Sequence, residues 1–243
     1  MKLFNLSSVL SQAANIVFPR HCTACGEKLL DGSLRFFCSG CFSGIRFLQS
    51  PMCKICGVEF IAGRSADHIC GECLQKRPPF ILARSVVRYS EPVKTLLYKL
   101  KYREDPSVLP GIADILSVYN VEEFESCEYA VPVPLHVKRL RERGINQSLL
   151  LAQLISKRKL GIPVRTDIIV RVKHTVPQTS LDGSSRRKNL INAFYCNKKH
   201  EVDGKVICLV DDVFTTGTTV RECSKILRNS GAKEVRVISF ARA

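Results

Sequence analysis

Eight of the twelve cysteines in this 243-residue sequence are spaced as metal ligands are. They form four Cys-x-x-Cys pairs: Cys22/Cys25, Cys38/Cys41, Cys53/Cys56 and Cys70/Cys73. Sulfurs two residues apart reach one tetrahedral Zn2+ and two pairs complete its shell, so four pairs fit two all-cysteine sites. Two pairs end in glycine, HCTACG and CKICG, which permits the tight turn that aims backbone amides at thiolate sulfur. Gaps of twelve residues between the first two pairs and thirteen between the last two suit a ribbon loop and favour consecutive pairing over a cross-braced arrangement. A thioredoxin-like redox pair would sit on a βαβ pattern, which these cysteines lack. His21 and His68 stand beside ligand cysteines, but the cysteines fill both sites without them.

The second chemical stretch is CLVDDVFTTGTTV, Cys208 to Val220. Two adjacent carboxylates, Asp211 and Asp212, follow an apolar run, and the loop Thr215, Thr216, Gly217, Thr218 and Thr219 comes directly behind. The run VICLV reads as a central strand. Thr219 with Glu222 reads as a capping box that opens a helix with Val220, Cys223, Ile226 and Leu227 inward. The Thr/Gly loop then lies between a strand's carboxyl end and a helix N-terminus, where amides, helix dipole and hydroxyls make a phosphate cradle. Asp211 and Asp212 are in reach of the hydroxyls of a sugar whose 5′-phosphate fills it. The GK[ST] ending of a Walker A loop is missing.

The elements that must position these groups follow from pattern. Leu3, Leu6, Leu10, Ala13, Ala14 and Val17 make a helical stripe broken by polar residues, so residues 1–20 are expected to form an amphipathic helix and not a signal peptide. Residues 21–76 are the Cys-rich module, closed by KRPPF. Beyond it ARSVVRY reads as a strand, VKTLLYKLKY as a helix with Val93, Leu96, Leu97 and Leu100 on one face, and Ser107 to Tyr119 as a second helix. YAVPVPL is a strand running into a Pro-bounded loop, and NQSLLLAQLISKR is a helix ending near Gly161. TDIIVRV, NAFYC, KVICLV and EVRVISF supply further strands. Strands alternating with helices make residues 81–243 an α/β domain with a mainly parallel sheet flanked by helices. No apolar run approaches the ~20 residues of a membrane span. Without an export signal, the thiols fit a reducing cytoplasm.

Charge is unevenly spread. Residues 1–80 carry nine Lys/Arg against five Asp/Glu, an excess that eight thiolates on two Zn2+ would cancel. Leu135 to Leu190 holds thirteen Lys/Arg against three Asp/Glu. A basic surface of that density either faces a polyanion or is merely solvated, and Lys138, Arg139, Arg141, Arg143, Arg186, Arg187 and Lys188 are the candidate contacts if the polyanion is a nucleic acid. Aromatics are 7% with no Trp, and Phe194 and Tyr195 lie close to this stretch. Binding led by the backbone, weakly sequence-specific and strongly salt-dependent, is therefore expected.

LVDDVFTTGTT resembles the phosphoribosyl-pyrophosphate (PRPP) motif of type I phosphoribosyltransferases. KYREDPSVLP, VPVPLHVKRLRERGINQS, PQTSLDGSSRRKNLINAF and GAKEVRVISFARA, behind a Cys-x-x-Cys ribbon, together resemble the ComF competence-protein family, of which GntX is a relative. The resemblance implies a phosphoribosyltransferase-like parallel sheet preceded by a double zinc ribbon, and a role in handling single-stranded DNA during natural transformation, beside a helicase-type partner. It places the ribose hydroxyls on Asp211 and Asp212, the 5′-phosphate on Thr215 to Thr219, and the pyrophosphate on the loop Leu135 to Arg139, with His136, Lys138 and Arg139 as contacts. Mg2+ would bridge the ligand's own oxygens. A lid would map to about Lys173–Lys188, with Lys173, His174, Gln178, Arg186, Arg187 and Asn189 as contacts. If transfer occurs, a nitrogen nucleophile displaces pyrophosphate from ribose C1, with Asp211 and Asp212 as the catalytic pair. In purine-salvage enzymes a carboxylate stands three residues after the second acid. Thr215 stands there in this sequence, so the loop is closer to the orotate and glutamine-amidotransferase kinds.

Overall fold

The computed structural model describes residues 19–29, 35–60, 66–173 and 192–243. The N-terminal helix expected at 1–20 therefore lies almost wholly outside the described residues, as do His174, Gln178, Arg186, Arg187, Lys188 and Asn189.

Six strands are present among the described residues: β1 (Leu82–Arg88), β2 (Tyr129–Pro132), β3 (Ile169–Arg171), β4 (Phe194–Cys196), β5 (Val206–Phe214) and β6 (Glu234–Arg242). Four of them form an all-parallel sheet in the order β1-β6-β5-β2. The helices are α1 (Ser39–Ser43), α2 (Gly71–Gln75), α3 (Val93–Tyr102), α4 (Leu109–Ser117), α5 (Val137–Arg143), α6 (Gln147–Ile155), α7 (Lys199–Val202) and α8 (Thr218–Asn229). β5 is apolar at every position from Val206 to Val210 because both its faces are covered. Cys208 and Val210 join Leu96, Leu100, Ile112 and Leu151 of α3, α4 and α6 in one core. Ile207 and Leu209 join Val220, Cys223 and Leu227 of α8 in the other. The helices following β2 and β5 thus lie on opposite faces, and this opens a crevice at the carboxyl ends of these two neighbouring strands.

Some expectations need correction. TDIIVRV and NAFYC do not extend the central sheet; β3 and β4 form an antiparallel pair of their own. Ile169, Phe194 and Cys196 turn inward to the α8 core while Tyr195 stays half-exposed, so one face of this pair is buried. The helix expected from Ser107 begins as a 3-10 turn, Pro106–Val108, because Asp105 accepts a hydrogen bond from the Ser107 N–H at 2.9 Å. The Thr219/Glu222 capping box does not form: the N-cap of α8 is Gly217, in the left-handed region at φ 69°.

The ribbons cover the outer edge of β1. Phe47 lies antiparallel opposite Val87, the Leu48 N–H donates to the Val86 carbonyl at 3.1 Å, and the Arg88 N–H donates to the Arg46 carbonyl at 2.8 Å. Further along, the Ala83 N–H donates to the Ile55 carbonyl at 2.6 Å. At Gly57, φ is +67° and a Cβ would come within 2.5 Å of the Ala83 carbonyl oxygen, so only glycine allows the second knuckle this close to the strand. An open parallel edge, which would template aggregation, is closed in this way.

Candidate functional site

The four sulfurs of Cys22, Cys25, Cys38 and Cys41 lie within 4.8 Å of one another, and so do those of Cys53, Cys56, Cys70 and Cys73. The pairing is consecutive. The Sγ atoms of Cys25 and Cys38 are 3.8 Å apart, and those of Cys56 and Cys70 are 3.7 Å apart. A regular tetrahedron with Zn–S bonds of about 2.3 Å has edges of about 3.8 Å, so both donor sets fit zinc. Backbone amides aim at the sulfurs as expected: Cys41 N–H at Cys38 Sγ, and the Cys56 and Cys70 N–H groups at Cys53 Sγ, each at 3.4 Å. His68 stacks on Phe60 at 3.8 Å between centroids and belongs to neither set.

The crevice between β2 and β5 holds a cavity of about 210 Å3. The end of β5 delivers Asp211 and Asp212, and the loop to α8 delivers Thr215, Gly217, Thr218 and Thr219. Opposite stand Pro134 and Leu135 after β2, Arg139 and Arg143 of α5, and Arg171 of β3. Two helix N-termini converge here, those of α6 and α8, and each brings a partial positive charge that favours anions. Asn146 fixes the first of them: its Oδ1 accepts from the Ser148 N–H at 3.0 Å, and its Nδ2 donates to the Val133 carbonyl at 3.2 Å.

The two acids sit in different surroundings. Asp211 is 8% exposed, accepts from Ser148 Oγ at 3.2 Å, and has its carboxyl pushed up to about 7 by burial and by the neighbouring Asp212 charge. Asp212 makes an ion pair with Lys101 at the end of α3. Burial pulls the Lys101 ammonium down, but the carboxylates of Asp212 and Asp211 outweigh it and the net shift is upward. Burial, followed by repulsion from Arg143, lowers the pKa of Arg139. Burial, followed by repulsion from Arg139, does the same for Arg171. One wall is therefore acidic and the other is crowded with guanidinium groups.

The structure brings together Asp211, Asp212, Thr215, Gly217, Thr218, Thr219 and Arg139. Thr216 is exposed and shares a 2.8 Å hydrogen bond with Thr218, while Lys138 and His136 are not among the cavity-lining residues. His136 instead caps α5, its Nδ1 accepting from the Lys138 N–H at 3.2 Å. The basic helix is split by its own periodicity: Arg139 and Arg143 face the cavity, and Lys138 and Arg141 face solvent. Sequence reasoning missed Lys101, Ser148 and Arg171. Lys101 lay within the KYREDPSVLP block, and the signal was a cation directly after buried Leu100.

Gly217 has φ +69°, and a Cβ there would come within 2.5 Å of Phe214 Cζ. Gly217→Ala is expected to destabilise the chain by at least about 2 kcal/mol, since the left-handed penalty alone is roughly 1–2 kcal/mol. That is a fall of about 4–8 °C in Tm by calorimetry. An unchanged melt would mean that the loop re-forms without a left-handed residue.

Comparison with known proteins adds two family matches and several relatives. Residues 13–74 match the double zinc ribbon domain and residues 146–243 match the phosphoribosyl transferase domain. The chain is 37% identical over 212 residues to competence protein F of Haemophilus influenzae, covering 85% of this chain and 90% of that protein. It is 31% identical over 233 residues to the DNA utilization protein YhgH of Escherichia coli K12, covering 93% and 99% respectively. With competence protein ComFC of Bacillus subtilis it shares 26% identity over 214 residues, 84% of this chain and 82% of that one.

Proposed function

Given that the chain belongs to the ComF competence-protein family, we propose that it binds PRPP with Mg2+ in the β2/β5 crevice and handles single-stranded DNA during DNA uptake. The observation that carries the first part is the pair Asp211 and Asp212 toward the carboxyl end of β5, with the loop to the Gly217-capped N-terminus of α8 following Phe214. In this reading the acids hold the ribose hydroxyls, and the Thr215 to Thr219 loop holds the 5′-phosphate. The pyrophosphate lies toward Leu135, Arg139 and Arg143. Among the described cavity-lining residues there is no carboxylate besides Asp211 and Asp212, so Mg2+ would be held mainly by the ligand's own oxygens. The DNA part is supported by what the relatives are called, competence protein F and DNA utilization protein, and by the solvent-facing Lys138 and Arg141. Residues 21–76 would then be the ribbon module and 81–243 the PRPP-binding domain. Among the described residues no helix is long and apolar enough to cross a membrane.

Pentosyl transfer is the second reading, favoured by the guanidinium groups of Arg139, Arg143 and Arg171 around the place where leaving-group charge would grow. A nitrogen nucleophile would take ribose C1 while the C1–oxygen bond to pyrophosphate breaks. Thr215 offers no base to it.

Calorimetry with PRPP and Mg2+, with pyrophosphate release followed in the presence of a panel of bases and of single-stranded DNA, tests both readings. Mg2+-dependent PRPP binding is expected, and its absence overturns the assignment. Release that appears only with a base makes the chain a transferase. Single-strand affinity should fall steeply with salt, and a flat response overturns the DNA part.

A further inference from the structure

Tyr98 and Tyr102 lie one turn apart on α3, with ring centroids 5.2 Å apart and planes tilted by 39°. Tyr98 is 53% exposed and Tyr102 is 56% exposed. Two adjoining aromatic rings left half in water forgo stabilisation that burial would provide. Packing of α3 does not require them, because its buried face is Val93, Leu96, Leu97 and Leu100, and the tyrosines share the other face with Lys94. The Arg143 guanidinium lies over the Tyr102 ring at 5.3 Å from the centroid, and Tyr102 with Arg139 and Arg143 lines the mouth of the crevice. Charge around the rings is mostly positive. Lys94 to Arg103 includes Lys94, Lys99, Lys101 and Arg103 and no acid, and α5 carries Lys138, Arg139, Arg141 and Arg143 against Glu142 alone. Lys99 is committed to the Thr23 and Ala24 carbonyls and Lys101 to Asp212, while Glu104 packs beside Gly144, so the outward excess comes from Lys94, Arg103, Lys138 and Arg141.

We propose that this face of α3 is a stacking platform for the unpaired bases of a single-stranded nucleic acid. Tyr98 and Tyr102 take successive bases while the solvent-facing Lys138 and Arg141 of α5 meet the phosphates. Rings flanked by cations match a ligand that presents flat π-faces on a polyanionic chain; an apolar protein surface would gain nothing from the charge. The platform rests on the reading that this chain handles single strands. It places the strand across the mouth of the PRPP crevice, outside the cavity itself.

The test is fluorescence anisotropy of the full-length, zinc-loaded protein with a labelled oligothymidylate, with an abasic strand of the same length, and with free thymidine as competitor. Tyr98→Ala with Tyr102→Ala is expected to weaken oligothymidylate binding about 10- to 100-fold while leaving the abasic strand unchanged. Tyr98→Phe with Tyr102→Phe should retain wild-type affinity, because the rings remain. Equal loss on both strands, or no loss on either, overturns the platform even if the wild type binds DNA. Thymidine competing as well as the strand does would overturn it in favour of a small-molecule base site. Failure of the wild type to bind either strand would remove the single-strand reading itself.

Discussion

Stripping both zinc ions from the protein is expected to release the ribbon module from the sheet and leave the phosphoribosyltransferase-like core folded. The second ribbon buries little besides Ile55 and its cysteines, whereas the first also sets Leu29, Phe37 and Ile45 into the core of α3 and α4, a contact that zinc must hold in place for so small a module. Structural zinc in such small modules is worth about 10–16 kcal/mol of apparent binding energy, nearly all of which appears as folding energy. The core has an independent source of stability, since β5 and β6 are buried between two helical layers. Hydrogen exchange separates the two. The N–H groups of Leu48, Ala83 and Arg88 bond across the boundary between ribbon and sheet. They should lose about a thousandfold or more of their protection when a chelator removes the metal, and β5 amides such as that of Leu209 should keep theirs. Elemental analysis before chelation should give two zinc per chain, as the two four-cysteine sets require. Retained protection at Leu48 and Ala83 in metal-free protein would show that packing against β1, and not zinc, holds the ribbons. The uncovered β1 edge should also make the stripped protein aggregate.

The features that were legible in the sequence share one property: their chemistry is local. Cys-x-x-Cys spacing fixes a ligand geometry within one turn, and the Asp211/Asp212 pair with its Thr/Gly loop lies on consecutive residues, so pattern alone could find both. The parallel sheet followed from continuous apolar runs such as VICLV. What escaped depends on residues far apart in the chain. Lys101 reaches Asp212 across more than a hundred positions because α3 and β5 share a core. Ser148 meets Asp211 because α6 packs against β5. β3 and β4 read as strands of the main sheet because three-residue runs carry no signal of which partner they join. The capping box failed because Gly217, closer to the turn than Thr219, took the left-handed cap that no residue with a Cβ beside Phe214 could take. Tyr98 and Tyr102 stand one turn apart in the sequence, but their neighbour Arg143, which covers one ring, belongs to another helix.

Asp211→Asn and Asp212→Asn are expected to have the same effect on PRPP and opposite effects on stability. Each removes a charge-assisted hydrogen bond to the sugar, a loss of about 10- to 100-fold in affinity, since such bonds are worth roughly 1.5–3 kcal/mol. Stability divides them because the two carboxyls have different neighbours. Burial, with Asp212 beside it, raises the Asp211 carboxyl from its ordinary 3.8 to about 7. Between those values the folded protein holds a proton that the unfolded chain releases, so this group's contribution to stability falls as pH rises through that window. Asparagine keeps an acceptor for Ser148 without the charge. The ligand-free Asp211→Asn protein should match the wild type near pH 4, gain on it through pH 7, and level off above at no more than about 4 kcal/mol. Asp212→Asn instead leaves the largely buried Lys101 ammonium without its main partner, and should cost about 1–3 kcal/mol at neutral pH. Thermal melts from pH 4 to pH 8, with PRPP titrations at pH 8, read both effects. A destabilising Asp211→Asn at pH 8 would mean that the buried carboxylate is satisfied as an anion. Unchanged PRPP affinity in both variants would take the ribose away from β5.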